Sequence, residues 1–181
     1  MSKKSTLTEL KKELRKKTQN ELVEEIAHLY KKFSNVKEFY QASFFSNDSA
    51  ILEKYKQIVQ NEFIPNGRSH FPKMRASVAR KAISDYKKIS CSNAGIADIM
   101  LTYVESGVSC TTEFGDIDEP FYNSMESMYE SALKYMVKER LFHEFQDRVR
   151  AIVKNTSQCG WGFHDQLSDL YHIYSTETIN A

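Results

Sequence analysis

The chain has 181 residues, 41% hydrophobic and 12% aromatic, with 25 Lys and Arg against 24 Asp and Glu. That length predicts a single domain over 1–181, burying roughly 70% of the surface its unfolded form exposes, so no disulfide or metal staple is needed. Six Gly and three Pro fall well short of the roughly 12% of average usage, which argues for few turns and long elements and against a many-stranded sheet.

The opening, MSKKSTLTELKKELRKK, has the charged start of a signal peptide but no apolar stretch behind it. Thr6-x-x-Glu9 reads as a capping box, in which the threonine oxygen takes an orphan amide and the glutamate reaches back to another. Thr18-x-x-Glu21 repeats it, and Leu22, Ile26, Leu29 and Phe33 behind it fall on one helix face. A third helix from Asn35 to Phe44 carries Val36, Phe39 and Tyr40, so a helical hairpin over 6–44 is expected to pack on the remainder. After the break at SNDS (46–49), Ile51, Tyr55, Ile58, Val59 and Phe63 mark a fourth helix, ended by PNG at 65–67.

A basic helix is predicted over 73–89, then another bearing Ile96, Ile99, Met100 and Tyr103. Its most apolar window, AGIADIMLTYV, is too short to span a bilayer and contains Asp98, so a cytoplasmic protein with no membrane contact is expected. FGDIDEP (114–120) supplies the next break, with Gly115 suited to a C-cap and Pro120 to a first turn favoured by Asp118 and Glu119. Helices follow with Phe121, Met125, Met128, Ala132 and Met136, then Phe142, Phe145, Val149 and Ile152, then Leu167, Leu170, Tyr171 and Tyr174. No stretch alternates with period two. The prediction is all-α, with eight or nine helices in an irregular bundle or a short stack of antiparallel hairpins.

Chemistry-bearing motifs are sparse. There is no phosphate-cradling loop, nucleophile elbow or zinc helix, and no cofactor is expected. Cys91, Cys110 and Cys159 are odd in number and far apart, the pattern of buried free thiols in a reducing compartment. Glu139 and His143, spaced i, i+4 with Asp147 beyond, would need a second ligand pair to hold a metal. His164, Asp165, Asp169 and His172 invite the same thought, and a solvated charged stripe explains both sets. Trp161, between two glycines, either stacks on a partner or covers one end of the core.

The segment NGRSHFPKMRASVARKAISDYKK (66–88) carries seven bases and one acid. On a helical wheel Val78, Ala79, Ala82, Ile83, Tyr86 and Ile89 share one face, and Lys73, Arg80, Lys81, Lys87 and Lys88 the opposite, wet face. Arg75 falls within the apolar face, with Arg68 in the loop before it. An arginine so placed must pair with a carboxylate or open onto a cleft, so Arg75→Ala is expected to lose stability. Arg68, Lys73, Arg75, Arg80 and Lys81 are therefore the candidate anion- or partner-binding residues, and Trp161 the candidate aromatic contact.

Charge is also divided along the chain. Residues 1–100 hold 19 Lys and Arg against 11 Asp and Glu, and residues 101–181 hold 6 against 13. Either the halves pack with complementary surfaces or the molecule has a basic and an acidic pole.

Taken together, LKKELRKKTQNELVEEIAHLYKKFSNVKEFY, NEFIPNGR followed by RASVARKAI, IADIMLTYVE and CGWGFHDQLSDLY give a pattern that resembles a bacterial domain-of-unknown-function family, number 6155, over nearly the whole length. The resemblance implies a small helical cytosolic protein and carries no catalytic residues. Two functions are then expected to compete. One is a non-enzymatic adaptor that recognises another protein through a groove between hairpins, or associates with itself through its oppositely charged halves. The other is a nucleic-acid binder using 68–88. An unrecognised metalloenzyme or hydrolase stands third.

Overall fold

The computed structural model describes residues 5–45, 48–67, 70–160 and 162–179. Among them are nine helices and no strand: α1 (Leu7–Leu14), α2 (Gln19–Lys32), α3 (Ser34–Phe44), α4 (Asp48–Phe63), α5 (Ala76–Ile89), α6 (Asn93–Phe114), α7 (Glu119–Lys138), α8 (Phe142–Asn155) and α9 (Phe163–Ile179). The chain is all-α, as the sequence predicts. None of these helices is long and apolar enough to cross a membrane.

Local signals set several boundaries. Thr6 and Thr18 close both capping boxes, each accepting from the amide three residues on while Glu9 and Glu21 return the bond. Asp118 caps α7 by accepting from the Phe121 amide at 2.9 Å, with Pro120 in the first turn. Gly115 ends α6 at φ +85°, a left-handed conformation that glycine adopts without steric cost.

The architecture is a bundle around α6 and not a linear stack. This helix packs against α4, α5, α7 and α8, while α9 lies across α7 and α8. Its Ile99, Leu101, Tyr103 and Val104 are completely buried. The α6–α7 approach is close enough that a Cβ on Gly107 would stand 2.2 Å from Met125 Sδ. Aromatics fill the seams: Phe63 meets Tyr103 edge-on at 5.0 Å, and Tyr122 lies 4.9 Å from Phe163.

The N-terminal three helices differ. α3 rests on α4 and α5, and α2 packs on α3, yet none of the residues in α1, α2 or α3 is buried. Of their side chains, Ala42 of α3 packs against the core, and it is only partly buried.

Candidate functional site

The basic segment behaves differently from the helical wheel. Met74 has φ +55° and Arg75 is the N-cap of α5, with φ −85° and ψ 76°. The helix therefore begins at Ala76 rather than 73, so neither Lys73 nor Arg75 has a place on its wheel. Lys73 is exposed ahead of it. Arg75 reaches back to the end of α4, where Nε and Nη2 each donate to Glu62 at 2.8 Å.

The burial is the reverse of the expectation. The Arg75 side chain is 57% exposed, and Glu62 is the buried partner at 4%. Backbone joins the same corner, since the Met74 amide donates to the Glu62 carbonyl at 2.7 Å. Hydrogen bonding to Glu62 raises the Arg75 pKa further above its ordinary value. Glu62 holds Met74 and Arg75 against the end of α4 through both its side chain and its backbone.

Arg80 is also displaced from its expected role. It is half-buried, not on the wet side: Nη2 donates to the Ser124 carbonyl at 2.7 Å, Nε to Ser124 Oγ at 3.2 Å, and the guanidinium lies 5.5 Å from the Tyr103 ring. Ser124 of α7 and Tyr103 of α6 take the place that solvent was expected to fill beside Arg80. Lys81 and Lys88 are exposed and both pair with Asp85, while the Lys87 ammonium lies 5.6 Å from the Tyr135 ring. Burial lowers the Lys87 pKa. Arg68 and Trp161 lie outside the described residues.

The candidate metal sets do not assemble, and the described residues contain no group of three or more His, Cys, Asp or Glu that could hold an ion. Glu139 is the C-cap of α7 and accepts from Asn93 at 2.7 Å, whereas His143 belongs to α8, so the two are not on one helix. Arg140, at φ +60°, turns the chain between them. His164 Nδ1 lies 3.1 Å from Thr156 Oγ1 and 3.2 Å from the Val153 carbonyl, tying α9 to the end of α8. His172 is exposed, its ring against Tyr171.

All three cysteines are free, but Cys91 is exposed, unlike the expected buried thiol. Burial pushes the Cys110 thiol up to about 11. Burial, with the Asp116 charge behind it, raises Cys159 as well. Neither is poised as a nucleophile.

Sequence reasoning missed the most elaborate polar cluster. Arg148 on α8 donates from Nε and Nη2 to the two oxygens of Glu105 at 2.8 and 2.7 Å, and from Nη1 to Asp98 at 2.5 Å. Lys56 reaches Asp98 from α4 at 3.0 Å. Burial works against the Arg148 charge, but its hydrogen bonds to Glu105 and Asp98 outweigh that and raise its pKa. The cluster edges a groove of about 490 Å³ between α6 and α8, lined also by Val108, Thr112, Ile152 and Asn155. Both Glu105 oxygens are taken by Arg148, so these charges neutralise one another and tie three helices together.

The second surface is apolar. A shallow groove of about 660 Å³ runs between α2 and α3, lined by Val23, Ile26, Ala27, Tyr30, Tyr40, Phe44 and Phe45, with Lys31 at its edge. Phe44 and Phe45 are 71% and 70% exposed, and Val23 is 55% exposed. The rings of Tyr40 and Phe44 stack at 5.6 Å, which fixes one wall. Exposed apolar residues are normal when scattered, and a contiguous run of this kind is the less common arrangement.

The model of the family of unknown function DUF6155 matches residues 1–175. The chain belongs to that family. The match takes in the apolar α2–α3 groove and the Arg148 cluster alike, and it brings no activity with it. No curated protein and no solved structure matches the chain.

Proposed function

We propose that this DUF6155 chain is a non-enzymatic protein-interaction module whose working surface is the α2–α3 face. The observation that carries the reading is the continuous apolar groove ending in Phe44 and Phe45. Leaving such side chains in water forgoes about 1.5–3 kcal/mol each, a cost that a bound partner recovers. The charged clusters elsewhere are internally neutralised and serve to hold the scaffold. Three free cysteines, one of them exposed, suit a reducing compartment, and a cytoplasmic setting is part of the proposal.

The nucleic-acid reading of 68–88 draws less support. Arg75, Arg80, Lys81 and Lys88 are already engaged by Glu62, Ser124 and Asp85, and releasing them would cost part of what phosphate contacts return.

Photo-crosslinking in the source cells tests the proposal. A benzophenone amino acid in place of Phe45 should give a discrete protein adduct, and the same probe in place of Lys154 on α8 should not. An absence of adducts at Phe45, or the same adducts at both positions, overturns the reading.

A further inference from the structure

The α2–α3 face has the symmetry of an interface with itself. Along α2 the groove residues Val23, Ile26, Ala27 and Tyr30 recur at i, i+3, i+4 and i+7, a stripe centred on the small side chain of Ala27. The charges beside the stripe change sign about the same centre. Glu21, Glu24 and Glu25 occupy the first half of the helix, and Lys31 and Lys32 the last turn. At 100° per residue, Glu24 and Lys31 project within about 20° of each other, on the same rim of the stripe.

From this arrangement we infer that the occupant of the groove is a second copy of the chain, docked through α2 and α3 about a two-fold axis near Ala27. The inference rests on the interaction reading above and names its partner. A two-fold in the plane of the interface and perpendicular to α2 runs the two helices antiparallel and keeps each rim on its own side. It brings Glu24 of one copy opposite Lys31 of the other, twice. A two-fold along the helices, which makes them parallel, instead carries the Glu24 and Lys31 rims to opposite sides of the seam, where neither residue meets its partner. Ala27 at the crossing point lets the helix axes approach to the roughly 8–10 Å of ordinary helix packing.

The size of the patch agrees. An aromatic side chain offers about 150–250 Å², and Phe44 and Phe45 leave roughly seven-tenths of theirs open. With Val23, Ile26 and Tyr30 added, each copy contributes several hundred Å² of mostly apolar area, more than half of the roughly 800 Å² per partner of a standard interface. A two-fold pair is also the commonest oligomer and, unlike a head-to-tail contact between the basic and acidic halves, closes on itself.

Sedimentation equilibrium on the full chain, from about 1 to 200 μM, tests this. The wild type should dimerise within that range. Ile26→Asp should be monomeric, with an unchanged far-ultraviolet spectrum and melting curve. Glu24→Lys and Lys31→Glu should each weaken the dimer by about tenfold or more, and the double variant E24K/K31E should restore it. A monomer throughout the range, a dimer that survives Ile26→Asp, or a double variant no better than the single ones would each overturn the inference. If the chain is monomeric while the Phe45 probe still captures a different protein, self-association falls and the interaction reading stands. If the probe captures nothing, both fall.

Discussion

Consecutive helices α3 and α4 each end in a phenylalanine, and the two residues differ in what covers them. Phe63 is fully buried, with Tyr103 and Phe121 edge-on against its ring. Phe44 is 71% exposed and touches Tyr40 of its own helix. The contrast extends to whole regions. α6 buries residues on most of its circumference, all but the side bearing Asp98, Glu105, Ser109 and Thr112, while α1, α2 and α3 bury none. One part of the molecule buries its apolar surface in the fold, and the other leaves it exposed.

The largest effect expected from breaking that contrast is at the two phenylalanines. Phe63→Ala should cost about 3–5 kcal/mol of stability, because both the ring's transfer energy and its cavity are lost. Phe44→Ala should stay within about 0.5 kcal/mol in the same urea titration. Equal losses would show that the N-terminal helices belong to the core.

Next is the charge cluster that ties α4, α6 and α8. Arg148→Ala leaves Glu105 and Asp98 without their main partner, and a loss of about 2 kcal/mol should follow in thermal unfolding. The half-exposed setting keeps it below the cost of a fully buried pair.

Arg80→Gln should cost about 1 kcal/mol, through loss of the bond to the Ser124 carbonyl. Lys81→Gln, one residue away but facing solvent, should leave the melt unchanged. If the two behave alike, the Arg80–Ser124 contact adds nothing to stability.

The smallest perturbation uses a thiol reagent at pH 8. Cys91 should react at once and Cys110 should be protected, since burial holds its thiol protonated up to about 11. The sign follows from that direction. A thiol kept neutral in the fold favours folding less as pH climbs from its unfolded value of 9.0 toward 11, so alkaline conditions should speed Cys110 labelling by weakening the fold as well as by ionising the thiol.

What could be read in the sequence was whatever is decided locally. Thr6, Thr18 and Asp118 cap helices with groups three residues away, and the apolar stripe of α5 is visible in its spacing. Arg75 was misplaced because Met74 takes a positive φ, which shifts the helix start by three residues and which a methionine does not advertise. Arg148, Glu105 and Asp98 were missed because they meet across 43 and 50 residues, a distance at which charge patterns carry no pairing. Spacing marks Leu22, Ile26, Leu29 and Phe33 as the apolar face of α2, whereas the groove is lined by Val23, Ile26, Ala27 and Tyr30, so only Ile26 is common to both. Periodicity shows which side of a helix is apolar but not whether anything lies over it, so the exposure of Val23, Phe44 and Phe45 needed the folded structure.

The central position of α6 also has a consequence for synthesis. Its neighbours α4 and α5 precede it in the chain, and α7 and α8 follow. As residues 1–92 leave the ribosome, Val59, Phe63, Ile83 and Tyr86 have no α6 to pack on, and α6 in turn waits for α7 and α8. The nascent chain therefore carries two apolar surfaces at once: the one that α6 will later cover, and the α2–α3 face that stays exposed among the described residues. Only the first is temporary, so a chaperone that holds the early chain has to let go of a surface that still looks unfinished.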